Sequence, residues 1–93
     1  MKIIHLHQEE NETIQLAVES NRQAQQKIYT QFSPKMLSVC RQYIKDIHQA
    51  EDVMITAFMK VFSNLKNFQH NGSFEGWVRR IMVNECISFV RVQ

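Results

Sequence analysis

Histidine, cysteine and carboxylate side chains are the usual sources of metal binding and nucleophilic chemistry, and in this sequence they are dispersed. His5, His7, His48 and His70 share no ligand spacing with Cys40 or Cys86, and no Glu-x-x-His pair is available for a di-metal bundle. There is no Gly-rich phosphate loop and no readable Ser/His/Asp arrangement. The sequence therefore supplies no candidate catalytic residue, metal ligand or cofactor site, and an enzyme reading has little support. The side chains with chemistry left to offer lie later. Arg79 and Arg80 cannot both enter a core, so at least one faces solvent and can bind a phosphate. Asn84 places a carboxamide on an apolar helix pattern, where it needs a partner, internal or a ligand. Trp77 reads as a core residue, and for Phe68 and Ile81 core packing is one of two readings that periodicity leaves open.

The charge distribution adds a weak hint. From Lys60 onward, Lys60, Lys66, Arg79, Arg80 and Arg91 face only Glu75 and Glu85, whereas the preceding residues are slightly acidic. A basic C-terminal third suits an anionic partner.

The elements that must position these residues are helical. The chain has 93 residues, 44% apolar and 22% charged, which is one small domain with a single core. Two Gly and one Pro are too few for the turns of a many-stranded β fold. Cys40 and Cys86 lie inside helical patterns and read as buried free thiols in a reducing cytoplasm. No apolar run approaches the ~18 residues of a membrane span, and the N-terminus is too short in apolar residues for a signal peptide. A cytoplasmic location follows as the expectation.

Residues 1–11 show no period, so we expect a disordered N-terminus followed by one helical domain over 12–93. A short helix spans Thr13 to Glu19, and Ser20-Asn21 is a break with an N-cap candidate. Ile28, Phe32, Met36 and Cys40 recur every fourth residue, and Ser33-Pro34 predicts a kink or restart without loss of phase. Asp46 and Gln49 form a capping-box pattern before a helix to about Lys66. Its apolar arc, with Val53, Ala57 and Val61 beside Met54, Phe58 and Phe62, is widened by Ile55 and Met59. That is broader than one neighbour can cover, so it is either central in the bundle or partly a docking face. A polar loop, Asn67 to Ser73, precedes a last helix from Phe74 to about Val90, with Ser73 as its cap. The fold class is all-α, a compact three-to-four-helix bundle.

The segments Ala50-Glu51-Asp52-Val53, Leu65-Lys66-Asn67-Phe68, Asn71-Gly72-Ser73-Phe74 and Trp77-Val78-Arg79-Arg80-Ile81-Met82-Val83-Asn84 follow one another in that order. In this order and spacing the chain, from about Glu12 to Arg91, resembles region 2 of the sigma-70 family of RNA polymerase sigma factors, of the extracytoplasmic-function (ECF) type. The resemblance implies transcription initiation by binding. One face would dock on the clamp coiled coil of the β′ subunit of the polymerase core, and another would recognise and melt the promoter −10 element on its single-stranded non-template strand.

By the same resemblance, Glu51, Asp52, Ile55, Thr56 and Met59 would form the polymerase-binding face, with Lys60 accessible from that side. Ile55-Thr56 stand where the family commonly has Gln-Glu, so this face would be more apolar than usual. The two carboxylates also suit the first turn of a helix dipole. A flipped base would enter a pocket lined by Asn64, Phe68, Ile81 and Asn84 beneath the loop Gln69, His70, Asn71, Gly72, Ser73. There, stacking and base-edge hydrogen bonds must offset the cost of unstacking. Asn64 is larger than the residue expected at its position. Trp77 would stack at the junction of double and single strands, Arg79 and Arg80 would bind phosphate, and Lys60, Lys66 and Arg91 would extend the electrostatic track. The resemblance leaves room for an anti-sigma factor as a further partner. The family's region 4 domain, which reads the −35 element, is not in this sequence. The competing reading is a helical protein–protein adaptor without a nucleic-acid role, supported by the broad Met/Phe face.

Overall fold

A computed structural model describes residues 2–92, with side chains from Gln8 onward. Four helices follow in order: α1 (Lys2–Val18), α2 (Arg22–Tyr43), α3 (Ile47–Ser63) and α4 (Phe74–Val92). A 3₁₀ turn, Leu65–Asn67, sits between α3 and α4, and no strand occurs among the described residues. The all-α architecture expected from the scarcity of Gly and Pro is the one observed.

Short polar side chains set the starts of three helices by giving otherwise orphaned backbone amides an acceptor. Asn21 accepts from the Ala24 N–H at 2.9 Å and opens α2. Asp46 accepts from the Gln49 N–H at 3.0 Å and opens α3, and this is the half of the expected capping box that forms. Ser73 Oγ accepts from the Gly76 N–H at 2.9 Å and opens α4.

The core lies where the stripes meet. Helix α2 is the hub, packed against α1, α3 and α4. Its Ile28, Phe32, Met36 and Cys40 are all buried, as are Val53, Ala57, Val61 and Phe58 of α3 and Phe74, Val78, Met82 and Cys86 of α4. Rings interlock across helices: Tyr29 meets Phe58 at 4.9 Å and Phe32 meets Phe74 edge-on at 5.6 Å. Among the described residues no buried side chain is polar. The two cysteines are buried free thiols, brought within hydrogen-bonding reach of each other from α2 and α4. Burial, then the neighbouring Cys86, pushes the Cys40 thiol up to about 12, and burial likewise raises Cys86.

The structure departs from the sequence expectations in four places. Backbone helix begins at Lys2 rather than near Thr13, so the described part of residues 1–11 is helical; Met1 lies outside the described residues. The physical reason is cooperativity. Ile14 and Ala17 anchor α1 on the core, and extension from an anchored turn adds one hydrogen bond per residue through a segment with no Gly or Pro. Pro34 neither breaks nor restarts α2, which is continuous from Arg22 to Tyr43. Phe32 and Met36 are buried on either side of it, and their burial offsets the ~3 kcal/mol cost of an interior proline. Helix α3 stops at Ser63, not Lys66, because Asn64 terminates it. Glu51 and Asp52 fall in the second turn of α3, past the turn where the dipole acts most strongly.

Candidate functional site

The outer face of α3 is set by the same periodicity that builds its inner one. Asp52, Ile55, Thr56 and Met59 recur at i, i+3, i+4 and i+7 and are all exposed, while Glu51 at the edge is half-buried. Ile55 is 46% and Met59 67% exposed. These two therefore do not widen the core. They form an apolar ridge with an acidic start, continued at the helix beginning by exposed Ile47. Such a ridge can take a second helix, the acid fixing register and the Met and Ile supplying area.

The loop after α3 is held from beneath. Asn64 donates from its side-chain amide to the Lys60 carbonyl at 2.9 Å, beside its own backbone N–H at 3.0 Å, and so closes α3. The 3₁₀ turn then delivers Phe68 into an aromatic cluster: Phe74 at 5.2 Å, Trp77 at 5.3 Å and His70 at 4.6 Å between ring centroids. Phe74 and Trp77 stack at 5.9 Å. Gln69, His70, Asn71, Gly72 and Ser73 stay exposed above this cluster. His70 and Gly72 have φ of 60° and 91°, and the sharp reversal at Gly72 lies in backbone space that side chains disfavour.

On α4, Trp77, Arg80, Ile81 and Asn84 share one face at i, i+3, i+4 and i+7. Arg80 and Asn84 are exposed, and Trp77 and Ile81 half-buried. Both arginines reach solvent, and neither has a carboxylate partner among the described residues. They are a ~100° step apart, so Arg80 belongs to the Asn84 face and Arg79 points beside it.

The candidate surface consists of the exposed loop and this α4 face: carboxamides, a guanidinium and the partly exposed edges of Trp77 and Ile81. It can stack on bases, hydrogen-bond their edges and neutralise phosphate. Asn84, expected on an apolar face, is solvent-exposed and needs no internal partner. Phe68 is buried rather than an open pocket wall, because its ring is what fastens the loop to α4. A recess of about 850 Å³ opens between the loop, α1 and α2. Phe68, His70, Gly72 and Ser73 meet Ile14, Ile28 and Phe32 there, and Asn64, Ile81 and Asn84 do not line it. Of the four expected pocket residues this recess takes only Phe68.

Of the outlying basic residues, Lys66 and Arg91 are exposed, whereas Lys60 is already paired with Glu85. Sequence reasoning missed this pair and the second one, Lys35 with Glu75 at 3.2 Å, because both join different helices. Among the described residues no group of His, Cys, Asp and Glu could hold a metal ion, and no helix is long and apolar enough to cross a membrane.

Comparison with known proteins places this geometry. Residues 28–93 match the Sigma-70 region 2 family. The ECF RNA polymerase sigma factor SigW of Bacillus subtilis is 30% identical over 60 residues, which are 64% of this chain and 32% of that protein. A probable RNA polymerase sigma factor of Haemophilus influenzae is 33% identical over 61 residues, 66% of this chain and 31% of its own length. The chain therefore spans about a third of the curated relatives it matches. Among solved structures, an engineered region 2 of sigmaE in complex with GTAAAA superposes with a TM-score of 0.82 at 23% identity, over 90% of this chain and 87% of that one. That likeness shows the fold.

Proposed function

Since the chain belongs to the sigma-70 region 2 family, we propose that it serves transcription initiation as an ECF-type module that binds RNA polymerase core and the single-stranded −10 element of a promoter. The observation that carries the DNA half is the exposed loop Gln69 to Ser73 beside an α4 face of Trp77, Arg80, Ile81 and Asn84, with Arg79 and Arg80 free of carboxylate partners among the described residues. The likeness to a region 2 structure held with GTAAAA supports the same reading.

The mechanism is equilibrium binding, without turnover or cofactor. Strand opening is unfavourable, and a surface that binds only the unpaired strand shifts the balance by its differential affinity. Asn84, Asn71 and Gln69 offer donors and acceptors to base edges. Trp77 and Ile81 offer apolar area for stacking, and Arg80 with Lys66 holds the backbone. With Phe68 buried, base capture relies on the exposed loop and the α4 face rather than on a pocket walled by that ring. The α3 ridge of Asp52, Ile55, Thr56 and Met59 is the surface for the β′ clamp coiled coil, and it leaves the α4 face open to the strand.

Fluorescence anisotropy with single-stranded −10-like and scrambled oligonucleotides across a salt series tests the reading. A region 2 module prefers the −10-like strand and weakens as salt rises. No preference and a flat salt response would leave a protein–protein adaptor.

A further inference from the structure

Lys60 on α3 and Glu85 on α4 form a salt bridge across the seam between the two proposed interfaces. Lys60 lies one ~100° step round α3 from Met59 of the docking ridge, and Glu85 one such step round α4 from Asn84, so the pair borders these faces rather than belonging to them. The two side chains are unequally placed: Lys60 is 57% exposed and Glu85 17%. The carboxylate is thus fixed in the seam, and the ammonium reaches over to it while keeping solvent on its other side. Lys66, Arg79, Arg80 and Arg91 have no carboxylate partner among the described residues, so Lys60 is the one neutralised cation of the basic C-terminal third among those residues.

We propose that Glu85 acts as a charge mask on the strand-binding surface. It holds Lys60 out of the phosphate track and thereby limits the sequence-independent part of the affinity. This rests on the strand-binding reading above. A phosphate approaching the α3–α4 seam must compete with a preplaced carboxylate for the same ammonium, and that carboxylate also repels it. Removing the negative charge reverses both effects at once. Phosphate contacts add affinity for every strand alike, whereas base contacts discriminate, so a mask of this kind weakens binding without touching sequence choice.

The test measures single-strand affinity and its salt dependence for wild type, Glu85→Gln, Lys60→Gln and the double variant. Glu85→Gln is expected to tighten −10-like and scrambled oligonucleotides by the same factor and to steepen the log–log salt slope by about 0.7, the value of one added contact on a single strand. Its advantage over wild type then shrinks roughly 2.5-fold between 50 and 200 mM salt. The double variant returns to the wild-type affinity and slope, whereas Lys60→Gln alone bares the Glu85 carboxylate and weakens both oligonucleotides by the same factor. If Glu85→Gln fails to fold, the charge-neutral double variant decides by itself: affinity below wild type with a shallower slope means that Lys60 already binds phosphate, and the mask is refuted. An unchanged affinity in Glu85→Gln refutes it as well. Failure of the wild type to bind any single strand removes the strand-binding reading itself, whereas normal wild-type binding with an inert Glu85→Gln removes only the mask.

Discussion

Truncating the exposed ridge of α3 should separate docking from folding. Full burial of an Ile or Met side chain is worth about 1.5–3 kcal/mol. Ile55 is 46% and Met59 67% exposed, so a partner that covers both can still gain about 1 kcal/mol from the first and about 1.5 kcal/mol from the second. Ordering the flexible Met59 side chain takes back part of this. The double variant Ile55→Ala, Met59→Ala should therefore lose about 2 kcal/mol of binding to a β′ clamp coiled-coil fragment, roughly 30-fold in Kd. The same change should barely affect the fold, since exposed substitutions generally stay within about 0.5 kcal/mol. Titration of the labelled protein with the fragment, beside a thermal melt, reads both quantities. Binding within twofold of wild type at an unchanged melting temperature would show that the ridge is not the docking face. A fall in both together would show that the two side chains belong to the core, contrary to their exposure.

Four further outcomes follow from the same geometry. Arg80→Ala should weaken single-strand binding and flatten its salt slope by about 0.7, while Arg79→Ala, a ~100° step round the helix, should do less; equal effects in anisotropy titrations would contradict the assigned face. Phe68→Ala removes a buried ring that fastens the loop to α4 and should cost about 3–5 kcal/mol in denaturant melts, whereas Phe68→Leu should fold and still bind the oligonucleotide. Asp46→Ala removes the acceptor for the Gln49 N–H and should lower stability by about 1 kcal/mol, with Asp46→Asn close to wild type. Cys40 is raised from 9.0 to about 12 by burial and by Cys86, so the folded state keeps a proton that the unfolded chain releases. Its stabilising effect is complete below pH 9 and lost as pH rises toward 12; a stability–pH profile of Cys40→Ala should lack that part of the alkaline decline.

Local chemistry made much of this molecule legible in the sequence. The four-residue recurrence of Ile28, Phe32, Met36 and Cys40 marks the buried side of α2, because a helix returns to the same side at that spacing whatever it packs against. Asn21, Asp46 and Ser73 mark helix starts because their side chains serve amides only three residues away. The ordered motif from Ala50 to Asn84 gave the family for a similar reason: residues fixed along the chain keep their order and spacing in any view of it.

What the linear order left open were questions of direction and of distant neighbours. Pro34 reads as a break, yet α2 runs through it, because the buried residues on either side bind it to three other helices. Asn84 reads as a carboxamide in need of a partner, internal or a ligand, and Phe68 as either core or the wall of a pocket. Tertiary packing exposes the first and buries the second among Phe74, Trp77 and His70. The pairs Lys60–Glu85 and Lys35–Glu75 join residues 25 and 40 positions apart, and only the docking of α4 on α3 and α2 brings them together. Periodicity reports which side of a helix is apolar, because that depends on one helix alone. Which charges meet, and whether a face is covered or open, depends on where the other helices stand, and that is fixed only when the core closes.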